Sequence, residues 1–259
     1  MSYFDLKDKV CIITGSSRGI GRAAAEAMAE AGAKVVISSR KLDACVEVAD
    51  AINQKYGDER AIAIAANISD KSALENLVAA TLERFGKIDA LVCNAASNPY
   101  YGPMQGISDE QFNKILQNNI LSNHWLVQFC APHMAENGGG AIVIVSSVGG
   151  FLGSGVIGAY NISKAADMQL ARNLAVDWGR KNIRVNCVCP GVVKTDFAKA
   201  LWENPEQAKA IARATPLKRV GEVDDIGGVI AFLCAPASKF MSGQSLIIDG
   251  GMTITGGNI

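Results

Sequence analysis

Histidine is nearly missing from this chain: its 259 residues contain only His124 and His133. No cluster of His, Cys and acidic residues has metal-ligand spacing, so no metal site is expected. An excess of one charge sign is missing too, because Lys+Arg and Asp+Glu are both 25. Zero net charge supplies no basic field for nucleic acid or an anionic membrane, and neither is expected as a partner. The seven cysteines are odd in number and scattered, which argues against a disulfide framework. Cys187 and Cys189 alternate with apolar residues, as small core side chains do in a reducing compartment. No apolar run reaches membrane-spanning length. The start, MSYFDLKDKV, is too polar for a signal peptide, and the ending GGNI matches no retention or peroxisomal signal. A cytoplasmic location is expected.

What is present is an alternation. Short apolar runs read as strands at 10–14, 34–38, 61–66, 89–94, 141–147, 183–189 and 245–249. They are continuous rather than alternating, which suits a parallel sheet covered on both faces. Longer helical patterns lie between them, for example at 21–32, 71–86 and 163–181. The expected fold is α/β: a single-domain, doubly wound Rossmann fold with seven parallel strands and helices on both faces. No linker, charge run or repeat divides the chain, so residues 1–259 read as one domain. The stretch 191–216 is irregular and mixes Phe197, Leu201 and Trp202 with polar residues. It is read as a lid over a binding site, against the plainer reading of a packed helical excursion.

The first strand runs into TGSSRGIGR. Gly15, Gly19 and Gly21 allow a tight turn and let backbone N–H groups approach a pyrophosphate at a helix N-terminus. The strand–turn–helix–strand context makes this a dinucleotide site, and no GK[ST] marks a Walker-type loop. Gly15, Ser17, Arg18, Gly19, Ile20 and Gly21 are its candidate cofactor residues. A carboxylate is also lacking at the end of the second strand, where an NAD site usually holds the ribose 2′-OH. Ser39 and Arg40 stand there, and Arg40, with Arg18, can pair with a 2′-phosphate. NADP(H) is therefore favoured, with NAD(H) as the alternative. Further on, Tyr160 lies four residues before Lys164, one helical turn. Alone, that spacing describes two surface residues. Behind a dinucleotide turn it describes a proton donor, whose phenol a neighbouring cation is expected to bring below its ordinary value.

TGSSRGIG at 14–21, CNAA at 93–96, IVSS at 144–147, Tyr160-x-x-x-Lys164 and PGVVKT at 190–195 together resemble the short-chain dehydrogenase/reductase family along nearly the whole chain. NAASNPYYG at 94–102 and KALW at 199–202 are most similar to its NADP(H)-dependent carbonyl reductase and retinol dehydrogenase branch. The resemblance implies a catalytic tetrad of Asn119, Ser147, Tyr160 and Lys164, preferring Ser147 to Ser146 and Asn119 to Asn118. In that tetrad Ser147 orients a carbonyl oxygen, Tyr160 protonates it, Lys164 tunes Tyr160 and holds the nicotinamide ribose, and Asn119 anchors a water leading from Lys164 to solvent. It implies cofactor contacts at Asn67, Ile68, Asn94, Ala95, Pro190, Gly191, Val193 and Thr195, besides Tyr160 and Lys164. It also implies a homotetramer. Cys93, Ala96 and Asn67 depart from the commoner pattern but keep small or hydrogen-bonding side chains. Phe151, Leu152, Val156 and Ile157, with Tyr100, Tyr101 and Trp202, suggest an apolar or aromatic ketone or aldehyde as substrate. The competing expectations are an NAD-linked secondary alcohol dehydrogenase and a non-catalytic dinucleotide-binding sensor.

Overall fold

The computed structural model describes residues 3–57 and 59–255; the ends of the 1–259 range, including the terminal GGNI, lie outside them. Seven strands form one sheet: β1 (Val10–Thr14), β2 (Lys34–Ser38), β3 (Ala61–Ala63), β4 (Ala90–Cys93), β5 (Gly140–Val145), β6 (Ile183–Pro190) and β7 (Ser245–Ile248). Their order is β3-β2-β1-β4-β5-β6-β7, and every pairing is parallel. The α-helices are α1 (Gly19–Glu30), α2 (Leu42–Tyr56), α3 (Lys71–Phe85), α4 (Asp109–Leu116), α5 (Ser122–Glu136), α6 (Gly158–Trp178), α7 (Lys199–Trp202), α8 (Pro205–Ala214) and α9 (Asp224–Cys234). The strand order reverses direction between β1 and β4, and a doubly wound sheet opens its binding crevice there, beyond the strands' carboxyl ends.

Alternate side chains of each strand enter different layers. Cys11 and Ile13 pack with Ala24 and Met28 of α1 and with Ile226 and Ile230 of α9. Ile12, between them, packs with Leu74 and Leu77 of α3. Both faces are covered, which is why the strands are apolar throughout. Each such Ile or Leu removed from water contributes about 1.5–3 kcal/mol. All seven cysteines are free, and six are buried, as small core residues. Among the described residues, no helix is long and apolar enough to cross a membrane.

The strand boundaries differ slightly from expectation. β3 stops at Ala63 rather than 66, and β5 stops at Val145, leaving Ser146 and Ser147 at its mouth. α6 begins at Gly158, five residues earlier than the 163–181 pattern. Ser154 accepts the backbone N–H groups of Val156 and Ile157 at 3.1 and 3.2 Å, turning the chain into the helix there. That early start places Tyr160 and Lys164 together in its first two turns. In the 191–216 stretch α7 and α8 have no buried residue.

Candidate active site

The cleft at the carboxyl ends of the strands has a volume of about 860 Å³, within the range of about 300–1,000 Å³ usual for small-molecule sites. Its floor is the turn after β1. Gly15 has φ +67°, and a Cβ there would lie 2.9 Å from Asn94 Nδ2. A Cβ on Gly21 would lie 2.5 Å from Asn94 Nδ2 and 2.5 Å from the Gly15 carbonyl oxygen. Asn94 is the clasp of this turn: its Nδ2 donates to Thr14 O at 2.9 Å and Gly15 O at 3.2 Å. The Thr14 hydroxyl accepts the N–H groups of Asn94 and Ala95. Ser16, which sequence reasoning passed over, is fully buried and ties β1 to β2, donating to Ile13 O and accepting from Ser38 N–H.

The expected cofactor residues mostly converge on the cleft. Gly15, Ser17, Arg18, Gly19, Ile20, Ser39, Arg40, Asn67, Ile68, Asn94, Ala95, Pro190, Gly191, Val193 and Thr195 line it. Gly21 does not; it sits behind the turn. Lys41 and Ser69 line it as well and were not anticipated. Arg18 is paired with Asp196 at 2.9 Å across the cleft mouth, both side chains largely exposed. Asn67 Oδ1 accepts the Ser69 N–H at 3.1 Å and keeps a lone pair for a second donor. Thr195 is held from behind, its carbonyl accepting Trp202 Nε1 at 2.8 Å. Trp202 therefore braces this loop instead of forming the expected aromatic wall of the cleft. Tyr100 is likewise engaged, donating to Pro103 O at 2.9 Å. The donor-lined turn, the close approach that only glycine permits and the basic rim at Arg40 and Lys41 fit a dinucleotide.

Of the expected tetrad, Ser147, Tyr160 and Lys164 line the cleft. Ser147 and Lys164 both act on the Tyr160 phenol, each favouring its charged form, and Lys164 Nζ lies 5.6 Å from the centre of the Tyr160 ring. Phe197 packs against that ring with centroids 5.8 Å apart. Asn119 does not reach the cleft. It is fully buried in a turn of π-helix at Gln117–Leu121, between α4 and α5. Its side chain accepts Ser97 N–H at 2.8 Å and donates to Ser97 O and Ser163 Oγ. Neighbouring Asn118 is the one that lines the cleft.

One expectation is corrected. Burial pushes the Tyr160 phenol above its ordinary value, and this outweighs the lowering by Lys164 and Ser147. A residue that the sequence reading missed adds to this. Asp167 is fully buried and accepts from Lys164 Nζ at 2.9 Å, offsetting the positive field at Tyr160. Burial alone would pull the lysine toward its neutral form; the Asp167 carboxylate reverses that and holds its pKa above the ordinary lysine value.

Comparison with known proteins agrees with this geometry. A family model described as enoyl-(acyl carrier protein) reductase matches residues 15–253. Dehydrogenase/reductase SDR family member 4 of Mus musculus is 36% identical over 247 residues, covering 95% of this chain and 88% of that protein. Among solved structures, a 7α-hydroxysteroid dehydrogenase complexed with NADH and 7-oxoglycochenodeoxycholic acid is 37% identical, with TM-score 0.92 over 96% of both chains. A gluconate 5-dehydrogenase from Burkholderia cenocepacia, in complex with NADP and tartrate, is 30% identical, with TM-score 0.92 over 98% of both chains.

Proposed function

We propose a function on one premise: the chain belongs to the short-chain dehydrogenase/reductase family. Within it, the protein is an oxidoreductase that reduces an apolar or aromatic ketone or aldehyde with NADPH. The observation that carries this reading is the convergence of Ser147, Tyr160 and Lys164 on one cleft. Two donors converging there suit one carbonyl oxygen, which favours a carbonyl over an enoyl double bond. The nicotinamide cofactor, when bound, supplies the hydride in reduction and accepts it in the reverse direction.

The chain's own residues do the rest. Tyr160 donates its phenolic proton to the carbonyl oxygen, and Ser147 hydrogen-bonds that oxygen and orients it. A phenol raised by burial still carries its proton at neutral pH, and the ammonium of Lys164 steadies the phenolate left when that proton is transferred. Lys164 and Thr195 are placed to hold the nicotinamide end, and Asn67 the adenine. Asn119 fixes Ser97 and Ser163 behind the site. The glycine turn and the N-terminus of α1 hold the pyrophosphate.

The 2′-phosphate reading rests on Arg40 and Lys41 at the end of β2, where no acid stands. Arg18 joins them by exchanging Asp196 for phosphate, since an exposed ion pair contributes at most about 1 kcal/mol. NAD-linked oxidation of a secondary alcohol is the second reading, favoured by the NADH in the 7α-hydroxysteroid dehydrogenase structure. The apolar substrate class is supported by Phe197, which lines the cleft and packs on Tyr160; Phe151, Leu152 and Val156 are exposed but do not line it. The 191–216 stretch serves as the lid, joined to the glycine turn through Arg18 and Asp196. The likeness to SDR family member 4 is consistent with the carbonyl reductase and retinol dehydrogenase branch. Fully exposed Phe240, with Ile247 of the edge strand β7 exposed nearby in sequence, supports a homotetramer built through that edge. Unpaired buried thiols suit the cytoplasm. Cofactor oxidation measured with NADPH and NADH against a carbonyl panel tests the reading. Turnover of an aromatic ketone with NADPH at higher kcat/KM than with NADH supports it; no turnover of any carbonyl with either cofactor refutes it.

A further inference from the structure

We infer that Asp167 is a positioning residue: together with Asn123 it holds the Lys164 ammonium in place and ties it to Asn119. The inference rests on the reading of the cleft given above. Lys164, Asp167, Asn123 and Asn119 are 2%, 0%, 3% and 0% exposed. Lys164 Nζ donates to Val145 O at 2.8 Å and to Asp167 Oδ2 at 2.9 Å. The other carboxylate oxygen, Oδ1, accepts Asn123 Nδ2 at 3.0 Å. The same Nδ2 donates to the Asn119 carbonyl oxygen at 2.6 Å. A continuous line of hydrogen bonds thus joins two members of the expected tetrad through two residues outside it. The Asn119 backbone carbonyl is engaged by Asn123. The line crosses from α5 to α6, so it also sets the spacing of the two helices behind the cleft.

The geometry leaves Lys164 with one N–H for the cleft, since two of its three are committed. It also fixes the charge state. A buried amine without a partner tends to lose its proton, and a carboxylate in contact prevents this. The titratable groups facing the pair are Tyr160 on α6, Cys93 on β4, and Cys187 and Cys189 on β6. Burial pushes all three thiols up, so they stay neutral. Burial pushes the Asp167 carboxyl up as well, against the lowering by Lys164 and Asn123; in contact with the ammonium at 2.9 Å it is the anion of this group, and Lys164 depends on it.

The test is Asp167→Asn in the full chain, with Lys164 read by pulse acetylation with acetic anhydride between pH 7 and 10 and mass spectrometry, normalised to exposed lysines. Loss of a contacting carboxylate lowers a partner's pKa by about 1–3 units, so labelling of Lys164 near pH 8 rises roughly ten-fold or more. Alcohol oxidation then gains an alkaline fall in kcat/KM that the wild type lacks. A packing role alone lowers the rate evenly across pH and leaves labelling unchanged, and that result overturns the inference. Should Asp167→Asn fail to fold, Asn123→Ala decides, with a smaller rise expected and no rise overturning it. Labelling needs no turnover. A chain inactive on every carbonyl but with the labelling rise refutes the proposed function and leaves the Asp167–Lys164 dependence standing.

Discussion

Gly21→Ala adds one methyl group, and the structure sets its cost. The new Cβ would lie 2.5 Å from the Gly15 carbonyl oxygen and 2.9 Å from the Gly15 carbonyl carbon. Those are backbone atoms of a turn pinned by Asn94, so they have little room to retreat. The methyl would also lie 2.5 Å from Asn94 Nδ2, whose two bonds to Thr14 O and Gly15 O must then lengthen. Overpacking costs about 1–3 kcal/mol and each weakened bond about 1 kcal/mol, giving about 3 kcal/mol or more. For a chain of this size that lowers Tm by at least about 6 °C. Gly19→Ala is the matched control. Its Cβ meets only the Thr195 side chain, at 3.5 Å from Cγ2, and its φ of +61° costs about 1–2 kcal/mol. It loses less stability, yet its methyl projects across the cleft floor and weakens dinucleotide binding. Thermal unfolding by circular dichroism and titration with NADPH separate the two. A Gly21→Ala protein melting within about 2 °C of the wild type refutes the reasoning, since the estimate starts from about 2 °C per kcal/mol.

Arg40→Asp sets a carboxylate where the 2′-phosphate is expected; the ratio of kcat/KM with NADPH to that with NADH falls at least about ten-fold, and an unchanged ratio removes Arg40 from the phosphate site. Burial pushes the Asp89 carboxyl up, but the Val10 N–H and the ammonium groups of Lys9 and Lys87 hold it below its ordinary value. A carboxylate with a depressed folded-state pKa stabilises above the unfolded value of about 3.9 and loses that contribution as pH falls through the folded value. Asp89→Asn therefore lowers Tm at pH 7, and the gap to the wild type closes below about pH 4; a constant gap refutes the assignment. Phe197→Ala removes the ring packed on Tyr160 and raises KM for aromatic ketones several-fold while changing kcat less. Equal KM values place the substrate elsewhere.

Much of this was legible in the chain because the relevant signals are local. Continuous apolar strands, the glycine turn and the Tyr160–Lys164 spacing are each readable within a few residues, and the sheet follows from their alternation. What escaped depends on which way a surface turns. Asp167 lies three residues after Lys164, a spacing that usually marks a solvated ion pair on a helix. Only the burial of that face of α6 makes it an internal carboxylate, and only the fold brings Asn123 from α5 to meet it. The direction of the Tyr160 pKa was misjudged for the same reason: the lysine was visible in the sequence, while its counter-charge and the burial of the phenol were not. Trp202 was expected in the cleft, but its indole N–H is directed to Thr195 O, a contact that α7 sets and residue type does not.

Tyr160→Phe bears most directly on the chemistry assigned to the cleft. It removes one oxygen and leaves the ring against Phe197 in place. With a good ketone substrate, kcat/KM for NADPH-dependent reduction falls at least about 100-fold, as expected for loss of a positioned general acid. The dissociation constant for NADPH stays within about two-fold, because the turn that holds the pyrophosphate is untouched. A variant that binds NADPH normally and reduces the ketone at near wild-type rate contradicts the assignment of Tyr160 as proton donor.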